Sequence, residues 1–319
     1  MRIFRHYSGV PPSARRAVVA LGNFDGVHLG HQAVIREASR VARERARPLA
    51  VLTFEPHPRQ VFQPGAPTFR LTPFRIKARH LESLGVELLF VLHFDLEFSK
   101  IAAEDFVMEV LVRGLGATHV VVGYNFAFGH RRRGNVELLE GVAKREGFGV
   151  TCVRPVESPD GGIYASSLIR DYLMRGEPRR AAALLGRDWE IEGRVEGGLR
   201  LGVKLGFPTA NLSMGEYIRP AYGVYAIRAG IDRGAETHWY GGAGNVGRRP
   251  TLEADNELLE AHLFDFEGDL YGRHLRVELI ERLRPEEKFD GLDALRAQIG
   301  EDCRVARRIL AASLRRPGA

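Results

Sequence analysis

The sequence has little of what marks secreted, thiolate-metal or membrane proteins. It contains only two cysteines, Cys152 and Cys303, which lie far apart and outside any CxxC spacing. Such cysteines support neither a disulfide framework nor a thiolate metal site. No stretch approaches the ~18 continuous apolar residues of a membrane-spanning helix, and the apolar run nearest the N-terminus is too short for a signal-peptide core. We therefore expect a soluble, cytoplasmic protein.

Several common nucleotide-binding signatures are also missing. The sequence has no Walker A motif and no protein-kinase H-R-D motif. Residues 242–247 satisfy G-x-G-x-x-G, but Arg248-Arg249-Pro250 follows where a helix would have to begin. The dinucleotide fingerprint needs that helix, so this glycine pattern does not predict a Rossmann site.

The composition is that of a globular protein with a positive charge excess. Of the 319 residues, 45% are hydrophobic and 27% are charged, and 46 lysines and arginines against 40 acidic residues give a net charge of +6. This length suggests about two domains. The charge suits an anionic partner, which could be nucleic acid, a membrane surface or a phosphorylated small molecule. Composition does not choose among them.

The first half of the chain alternates apolar runs with amphipathic segments. The runs have the continuous apolar character of buried parallel strands, and apolar residues recur at helical spacing from Val34 to Ala42. This repetition predicts an α/β fold with a doubly wound parallel sheet, whose ligands bind outside the carboxyl ends of the strands. The predicted strands are AVVALG, PLAVLTF, VELLFVLHF, THVVVGY and GVTCVRPV, and the predicted helices are His31–Ala46, Phe74–Leu84, Ala102–Val112 and Val136–Arg145.

The second half changes character after Trp189. Short β-rich runs separated by glycine and proline turns predict a small antiparallel β-barrel closed by a C-terminal helix. We place the boundary near Arg187, with residues 1–186 as the first domain and 187–319 as a second domain that folds alone. The predicted apolar face of the last helix consists of Leu292, Leu295, Ile299, Val305 and Ile309.

The stretch LGNFDGVHLGH, residues 21–31, directly follows the first predicted strand. Glycines let the backbone approach a ligand closely, and the N-terminus of the next helix offers unpaired N–H groups to phosphate. His28 and His31 are three residues apart and so project to the same side. Two imidazoles beside amide donors suit the charge that builds up on phosphate oxygens during nucleotidyl transfer.

Two other interpretations of this stretch remain open at this point. Asp25 and the two histidines could bind zinc, although no third nitrogen or sulfur ligand stands at a familiar spacing. The glycines could also form a purely structural turn with incidental histidines. The combination of glycines, histidines and a strand-to-helix context favours the phosphate site.

The first half resembles a known family through four motifs. G-x-F-D-G-x-H-x-G-H, ending at His31, is similar to the signature of the adenylyltransferase domain in bacterial bifunctional riboflavin kinase/FMN adenylyltransferases, also called FAD synthetases. TFEPHPRQVF (53–62), VVGYNFAFGHRRRGN (121–135) and SSLIRDYL (166–173) resemble further motifs of that domain.

The second half resembles the riboflavin kinase part of the same family. The run LGFPTAN, within GLRLGVKLGFPTANL (198–212), is similar to the kinase signature. GNVGRRPTL, LLEAHLFDFEGDLYG and RLRPEEKF resemble three more of its segments. The glycines and Lys204 suit a loop over phosphates, and the oxygens of Thr209 and Asn211 suit a hard cation.

The resemblance implies roles for individual residues of the N-terminal domain. Its catalytic residues would be His28, His31 and Arg170. Its ATP- and phosphate-binding residues would be Gly22, Phe24, Asp25, Gly30, Ser166 and Ser167, and its flavin-binding residues His57, Pro58 and Asn125.

For the C-terminal domain, the resemblance makes Glu260 the base that accepts a proton from the ribityl 5′-hydroxyl. Arg284 would bind flavin, and Thr209 and Asn211 would hold Mg²⁺. The ATP-binding residues would be Gly202, Lys204, Gly206, Pro208, Thr209, Asn211 and Asn245.

The resemblance therefore predicts a bifunctional ATP- and Mg²⁺-dependent transferase. The C-terminal domain would phosphorylate riboflavin to FMN, and the N-terminal domain would adenylylate FMN to FAD, with riboflavin, FMN and ATP as small-molecule partners. The sequence does not indicate whether the protein self-associates. One alternative is a nucleotidyltransferase acting on another phosphate compound; another is a nucleic-acid-binding protein, although RNP and zinc-finger patterns are absent and we expect no nucleic-acid partner.

Overall fold

The computed structural model describes residues 1–157, 162–197, 205–233, 236–250 and 255–313. It divides into two compact units. The first comprises Met1–Pro67 and Thr72–Ala165, and the second comprises Thr68–Leu71 and the chain from Ser166 onward. Residues 166–186 thus group with the second unit, whereas the sequence-based boundary assigned them to the first domain. The assignment of one activity to residues 1–186 and the other to 187–319 stays a prediction.

The first unit is built on a six-stranded sheet in which every pairing is parallel, in the order β1-β4-β3-β2-β5-β6. Both faces are covered, because Val19 and Leu21 of β2 belong to one hydrophobic core while Val18 and Ala20 belong to another. The predicted doubly wound parallel sheet is confirmed. The strands are β1 Arg2–Phe4, β2 Val18–Leu21, β3 Leu49–Glu55, β4 Leu88–His93, β5 His119–Gly123 and β6 Gly149–Val153.

Helices connect these strands close to the predicted positions. The exception is the third predicted helix, where only a short α-helical turn forms before a π-helical segment, Phe106–Gly114. The edge strand β1 was not predicted. The helices are α1 Leu29–Glu44, α2 Pro58–Phe62, α3 Phe74–Ser83, α4 Ala103–Asp105 and α5 Val136–Glu146, with 3₁₀ turns at Pro12–Ala14, Phe98–Lys100 and His130–Arg132.

The second unit contains a six-stranded antiparallel barrel, in the order β7-β12-β9-β10-β11-β8. The barrel is nearly closed, because the N–H of Glu196, just after β7, donates to the carbonyl of Asn211 in β8 over 2.9 Å. The predicted barrel with a C-terminal helix is confirmed, although β7 and β8 were not predicted as strands. The elements are α6 Ser166–Met174, α7 Pro178–Leu185, β7 Trp189–Arg194, β8 Ala210–Ser213, β9 Gly223–Ile231, β10 Trp239–Pro250, β11 Asp255–Leu263, β12 His274–Arg284 and α8 Leu292–Ser313.

The buried face of α8 agrees only in part with the predicted apolar face. Ile299 and Ile309 pack against the core as predicted, but Leu292 is 59% exposed, and the buried members of the face are Cys303, Ala306 and Leu310. Asp302 on the same face is buried as well. An apolar pattern could not reveal this face, because one of its members is a charged residue that is buried through an ion pair.

Helix α7 packs against β7 and β12, with Ala181, Leu184 and Leu185 buried. We therefore expect a fragment of residues 166–319 to be more stable than a fragment of residues 187–319, by about 3 kcal/mol or more, since burial of one leucine contributes about 1.5–3 kcal/mol. The measurement is urea unfolding of both fragments. Equal free energies of unfolding would contradict the packing of α7 in the second unit.

A buried carboxyl group on the outer side of the barrel predicts a pH effect. Burial raises the pKa of Glu278 to about 7, and the neighbouring carboxylates of Asp188 and Glu190 act in the same direction. The folded chain thus binds this proton more tightly than the unfolded chain, so the group's contribution to stability is lost as pH rises from the ordinary value of 4.5 to about 7. We expect Glu278→Gln to remove this loss.

Thermal unfolding at about pH 5 and about pH 8 measures this effect. The unsubstituted chain should lose more stability between these pH values than the Glu278→Gln chain does. Glu267→Gln, at an exposed position of the same unit, is the matched control and should behave like the unsubstituted chain. Parallel pH dependence in all three chains would contradict the assignment.

Candidate active sites

The turn between β2 and α1 places His28 and His31 together. His28 is the N-cap of α1, and its Nδ1 accepts a hydrogen bond from the backbone N–H of His31 over 3.3 Å. The two rings stack with centroids 3.6 Å apart and planes 22° apart. Because Nδ1 accepts, the proton of the neutral His28 ring lies on Nε2, which is then a hydrogen-bond donor. The predicted same-side arrangement of the two histidines is confirmed.

Close packing explains two of the glycines in this turn. A Cβ at Gly30 would lie 3.1 Å from the His28 ring and 3.2 Å from the Cβ of Tyr164. A Cβ at Gly22 would lie 3.3 Å from the ring of Phe24. Both glycines therefore leave room for the rings that shape the turn. Their predicted contact with phosphate stays a prediction.

Asp25 is buried and holds a neighbouring segment in place. Its Oδ1 accepts hydrogen bonds from the backbone N–H of Thr72 over 3.1 Å and from the Thr72 hydroxyl over 3.4 Å. The N–H of Gly26 donates to the same hydroxyl over 2.8 Å. Phe24 is buried beside it, edge-on to His31 at 5.3 Å.

The structure does not bring the three ligands of the zinc alternative together. In the part of the chain that the structure describes, Asp25, His28 and His31 do not converge as a group of metal-ligating atoms. The Asp25 carboxylate instead accepts from Thr72. The histidines are left as hydrogen-bonding groups at the helix N-terminus.

The other motifs of the first unit follow strands that end at the same edge of the sheet. His57 follows β3 and caps α2, where its Nδ1 accepts from the N–H of Arg59 over 3.1 Å and its own N–H donates to Oε1 of Gln60 over 3.1 Å. Pro58 is the first residue of α2. Asn125 is exposed just after β5. Since β3, β2 and β5 are adjacent parallel strands, all three motifs lie at the carboxyl edge, where ligands of such sheets bind.

An ion pair at this edge was not predicted from the sequence. The Nζ atom of the fully buried Lys77 lies 2.8 Å from Oε1 of Glu55, the last residue of β3. Glu55 is part of the quoted TFEPHPRQVF motif, but nothing in the sequence pairs it with a lysine more than twenty residues away. The ion pair fixes the chain immediately before His57.

Ser166, Ser167 and Arg170 lie on α6, which belongs to the second unit. The Nε of Arg170 donates to the carbonyl of Phe69 over 2.8 Å, and its guanidinium lies 5.3 Å from the centre of the Phe69 ring. The predicted roles of these three residues toward ATP stay predictions.

The second unit contains a cavity of about 530 Å³ that brings together many of the predicted kinase residues. Apolar side chains from β9, α8 and the segment before β8 line other parts of it, together with polar residues that include His262, Tyr271, Glu286 and Glu287. Gly206 and Pro208 are described but are not among its lining residues, and Gly202 and Lys204 lie outside the described residues. The predicted residues that line the cavity are Thr209, Asn211, Asn245, Glu260 and Arg284.

The strand register explains why three of these residues meet. Glu260 of β11 stands directly opposite Asn211 of β8 on one side and Asn245 of β10 on the other. Residues directly opposite each other in antiparallel strands share a face of the sheet. The neighbours Leu259 and Ala261 are fully buried on the other face, as the alternation in the sequence predicted.

The amide groups beside Glu260 differ in their partners. Asn211 is buried, and among the described residues its Oδ1 has no hydrogen-bond partner. The Nδ2 of Asn245 donates to Oε1 of Glu286 over 3.3 Å. The site therefore holds a buried carbonyl oxygen and two carboxylates, a donor set suited to a hard cation.

Arg284 is held in the cavity wall by Asp302 of α8. Its Nε lies 3.0 Å from Oδ1 and its Nη2 lies 2.8 Å from Oδ2 of Asp302, which also accepts from Gln298 over 3.0 Å. The sequence did not predict that Asp302 belongs to the site, because an acidic residue on an amphipathic helix is expected to be exposed. Burial, reinforced by Asp302, raises the pKa of the adjacent Cys303 thiol to about 11, so Cys303 remains a protonated, unreactive thiol.

Comparisons with known proteins cover both units. A family model described as FAD synthetase matches residues 10–167, and one described as riboflavin kinase matches residues 185–310. A protein of Haemophilus influenzae named bifunctional riboflavin kinase/FMN adenylyltransferase is 36% identical, with 96% of this chain and 98% of that protein covered. A protein of the same name from Escherichia coli is 38% identical, with 91% of each covered.

A solved structure shares the fold. It is described as a macrolide-efflux protein from Streptococcus pneumoniae, and it matches with a TM-score of 0.85 and 30% identity over 96% of this chain and 98% of that one. No helix in the described part of this chain has both the length and the apolar character that crossing a membrane requires.

Proposed function

The chain belongs to the bifunctional riboflavin kinase/FMN adenylyltransferase family, and we propose that it performs the two reactions of that family at two separate sites. Riboflavin is phosphorylated by ATP to FMN, and FMN is adenylylated by a second ATP to FAD with release of pyrophosphate. We assign the first reaction to the barrel cavity and the second to the carboxyl edge of the parallel sheet. The row formed by Asn211, Glu260 and Asn245 inside one cavity is the observation that carries this assignment.

Glu260 is the general base of riboflavin phosphorylation in this proposal. Its carboxylate lines the cavity and can accept the proton of the ribityl 5′-hydroxyl as the oxygen attacks the γ-phosphorus of ATP, with ADP leaving. Asn245, opposite Glu260 and bonded to Glu286, orients ATP. Arg284, fixed by Asp302, presents a cationic group to the flavin side of the cavity. These contributions are positioning and proton acceptance.

The donor set of the cavity fits Mg²⁺. The Oδ1 of Asn211 is buried and has no hydrogen-bond partner among the described residues. This oxygen and the hydroxyl of Thr209 are hard ligands. We therefore propose that Thr209 and Asn211 hold Mg²⁺. When bound, the ion neutralises charge on the transferring phosphate oxygens.

The adenylyltransferase site is assigned to His28, His31 and the first turn of α1. His28 caps the helix through Nδ1 and so directs an N–H donor, Nε2, away from its own backbone. Together with the helix N-terminus, the stacked rings stabilise negative charge on the α-phosphate as FMN attacks and pyrophosphate leaves. Both histidines act as preorganised donors.

The remaining assignments follow the family motifs. Gly22, Phe24, Asp25 and Gly30 shape the ATP pocket of this site, and His57, Pro58 and Asn125 at the same edge of the sheet contact flavin. Ser166, Ser167 and Arg170 contact ATP phosphates, and Gly202, Lys204, Gly206 and Pro208 bind ATP in the kinase reaction. We further propose a cytoplasmic enzyme without nucleic-acid or membrane partners, whose positive charge serves phosphate-rich substrates.

Glu260→Gln tests the assignment of the base. The substitution keeps the shape and the hydrogen-bonding capacity of the side chain but removes its basicity, so we expect riboflavin phosphorylation to fall by about 10²–10⁴-fold. Adenylylation of supplied FMN should continue near its original rate. The two reactions are followed separately by chromatography of the flavins.

The matched control for this variant is Glu267→Gln, an exposed glutamate of the same unit, which should leave both rates unchanged. A Glu260→Gln chain that phosphorylates riboflavin at the original rate would remove Glu260 from the mechanism.

His28→Ala and His31→Ala test the second site. Each substitution removes a preorganised donor, so we expect each to slow FAD formation on the order of a hundredfold while FMN formation stays nearly intact. His6→Ala, at an exposed position of the first unit, serves as the control. An equal loss of both activities would indicate misfolding or a shared site and would contradict the division proposed here.

A further inference from the structure

Three potential metal ligands converge outside the kinase cavity. Glu192 lies in β7, His274 is the first residue of β12, and Asp232 directly follows β9. One ligand atom from each of them lies within 4.8 Å of the other two, and the Nδ1 of His274 is 3.9 Å from Oδ2 of Asp232. Among the described residues, these three form a group of His, Cys, Asp or Glu side chains whose ligand atoms lie close enough together to bind one ion.

Strand order explains the convergence. β12 lies between β7 and β9 in the barrel, so the three residues come from three adjacent strands. His274 stands opposite Arg194 in β7, and Glu192 is the next residue of β7 on the same face. Leu275 pairs with Ile231, which brings Asp232 level with His274.

The cluster shares no residue with the lining of the proposed kinase cavity, and that lining includes Tyr271, three residues before His274. Arg284 and Val224, which line the cavity, lie at the opposite ends of β12 and β9 from His274 and Asp232. Ten residues of strand separate His274 from Arg284, which corresponds to about 30 Å. Thr209 and Asn211, the proposed Mg²⁺ ligands, are not members of this cluster.

One of the arginines on the same face, Arg276, is paired with another carboxylate. Arg276 stands opposite Glu192 in the register, but its Nε and Nη2 lie 3.0 Å and 2.7 Å from Oε2 of Glu190. Its guanidinium also lies 4.9 Å from the centre of the Trp239 ring. Glu192 and Asp232 thus bring two carboxylates to one imidazole, and the side chain of Asp232 is only 8% exposed.

We propose that Glu192, Asp232 and His274 bind one divalent transition-metal ion, with Zn²⁺ as the best match. Imidazole nitrogen and carboxylate oxygens are zinc ligands, and three protein ligands leave the fourth position of a tetrahedron for water. Imidazole disfavours Mg²⁺ and Ca²⁺, which prefer all-oxygen sites, and the absence of thiolates disfavours Cu⁺. The ion connects three neighbouring strands and so stabilises this part of the barrel.

The test uses the full chain, stripped with a chelator and titrated with ZnCl₂ by calorimetry in the absence of nucleotide. We expect one equivalent to bind with micromolar or tighter affinity. His274→Gln and Asp232→Asn should each weaken this binding by about 100-fold or more, since even residues that merely support a metal ligand contribute 10–100-fold. His238→Gln and Glu267→Gln, at exposed positions of the same unit, are matched controls and should bind zinc like the unsubstituted chain.

Two further measurements distinguish the loss of a metal ligand from a folding defect. Zn²⁺ should raise the midpoint of thermal unfolding of the unsubstituted chain but not of the Asp232→Asn chain. Co²⁺ added to the unsubstituted chain should give the visible absorption of a tetrahedral site, unchanged by His28→Ala. Absence of a bound equivalent, equal affinity in the substituted chains, or loss of binding in His28→Ala instead of His274→Gln would overturn the proposal.

Discussion

The register of three antiparallel strands is the constraint on which the kinase site depends. Glu260 of β11 lies opposite Asn211 of β8 and Asn245 of β10, so backbone hydrogen bonding alone sets the spacing of the three polar groups. A slip of one residue in β11 would bring Leu259 or Ala261 to the cavity and move Glu260 into the core. Both of these neighbours are fully buried, and their packing therefore locks the register that presents the carboxylate.

In the first unit, the N-terminus of a helix positions the site residues. His28 uses one ring nitrogen to cap α1 and stacks on His31 at 3.6 Å, so the same contacts that begin the helix also orient the imidazoles. Asp25 secures the turn through Thr72, and Gly30 leaves room for the His28 ring. In both units the groups assigned to chemistry are positioned by secondary structure, which is how a chain can hold them without rearrangement when substrate binds.

Much of this could be predicted from the sequence. Continuous apolar runs gave the parallel strands, alternation in LLEAHLFDF placed Glu260 opposite the core face, and the spacing of His28 and His31 predicted their shared side. Other features depended on contacts between distant residues. The short strands β1, β7 and β8 owe their form to partners elsewhere in the sheets, and Asp302 and Lys77 are buried charges that only their partners Arg284 and Glu55 explain. The Glu192–Asp232–His274 cluster joins three strands in the same way.

Mixing two singly substituted chains tests most directly whether the reactions occupy separate sites. Glu260→Gln and His28→Ala chains are incubated together with riboflavin, ATP and Mg²⁺, and FAD is followed by chromatography. Separate sites predict that the mixture makes FAD, because FMN released by the His28→Ala chain is adenylylated by the Glu260→Gln chain, whereas either chain alone makes very little. A mixture that makes no more FAD than the sum of the two chains alone, although each chain retains its expected single activity, would contradict transfer of FMN between independent sites.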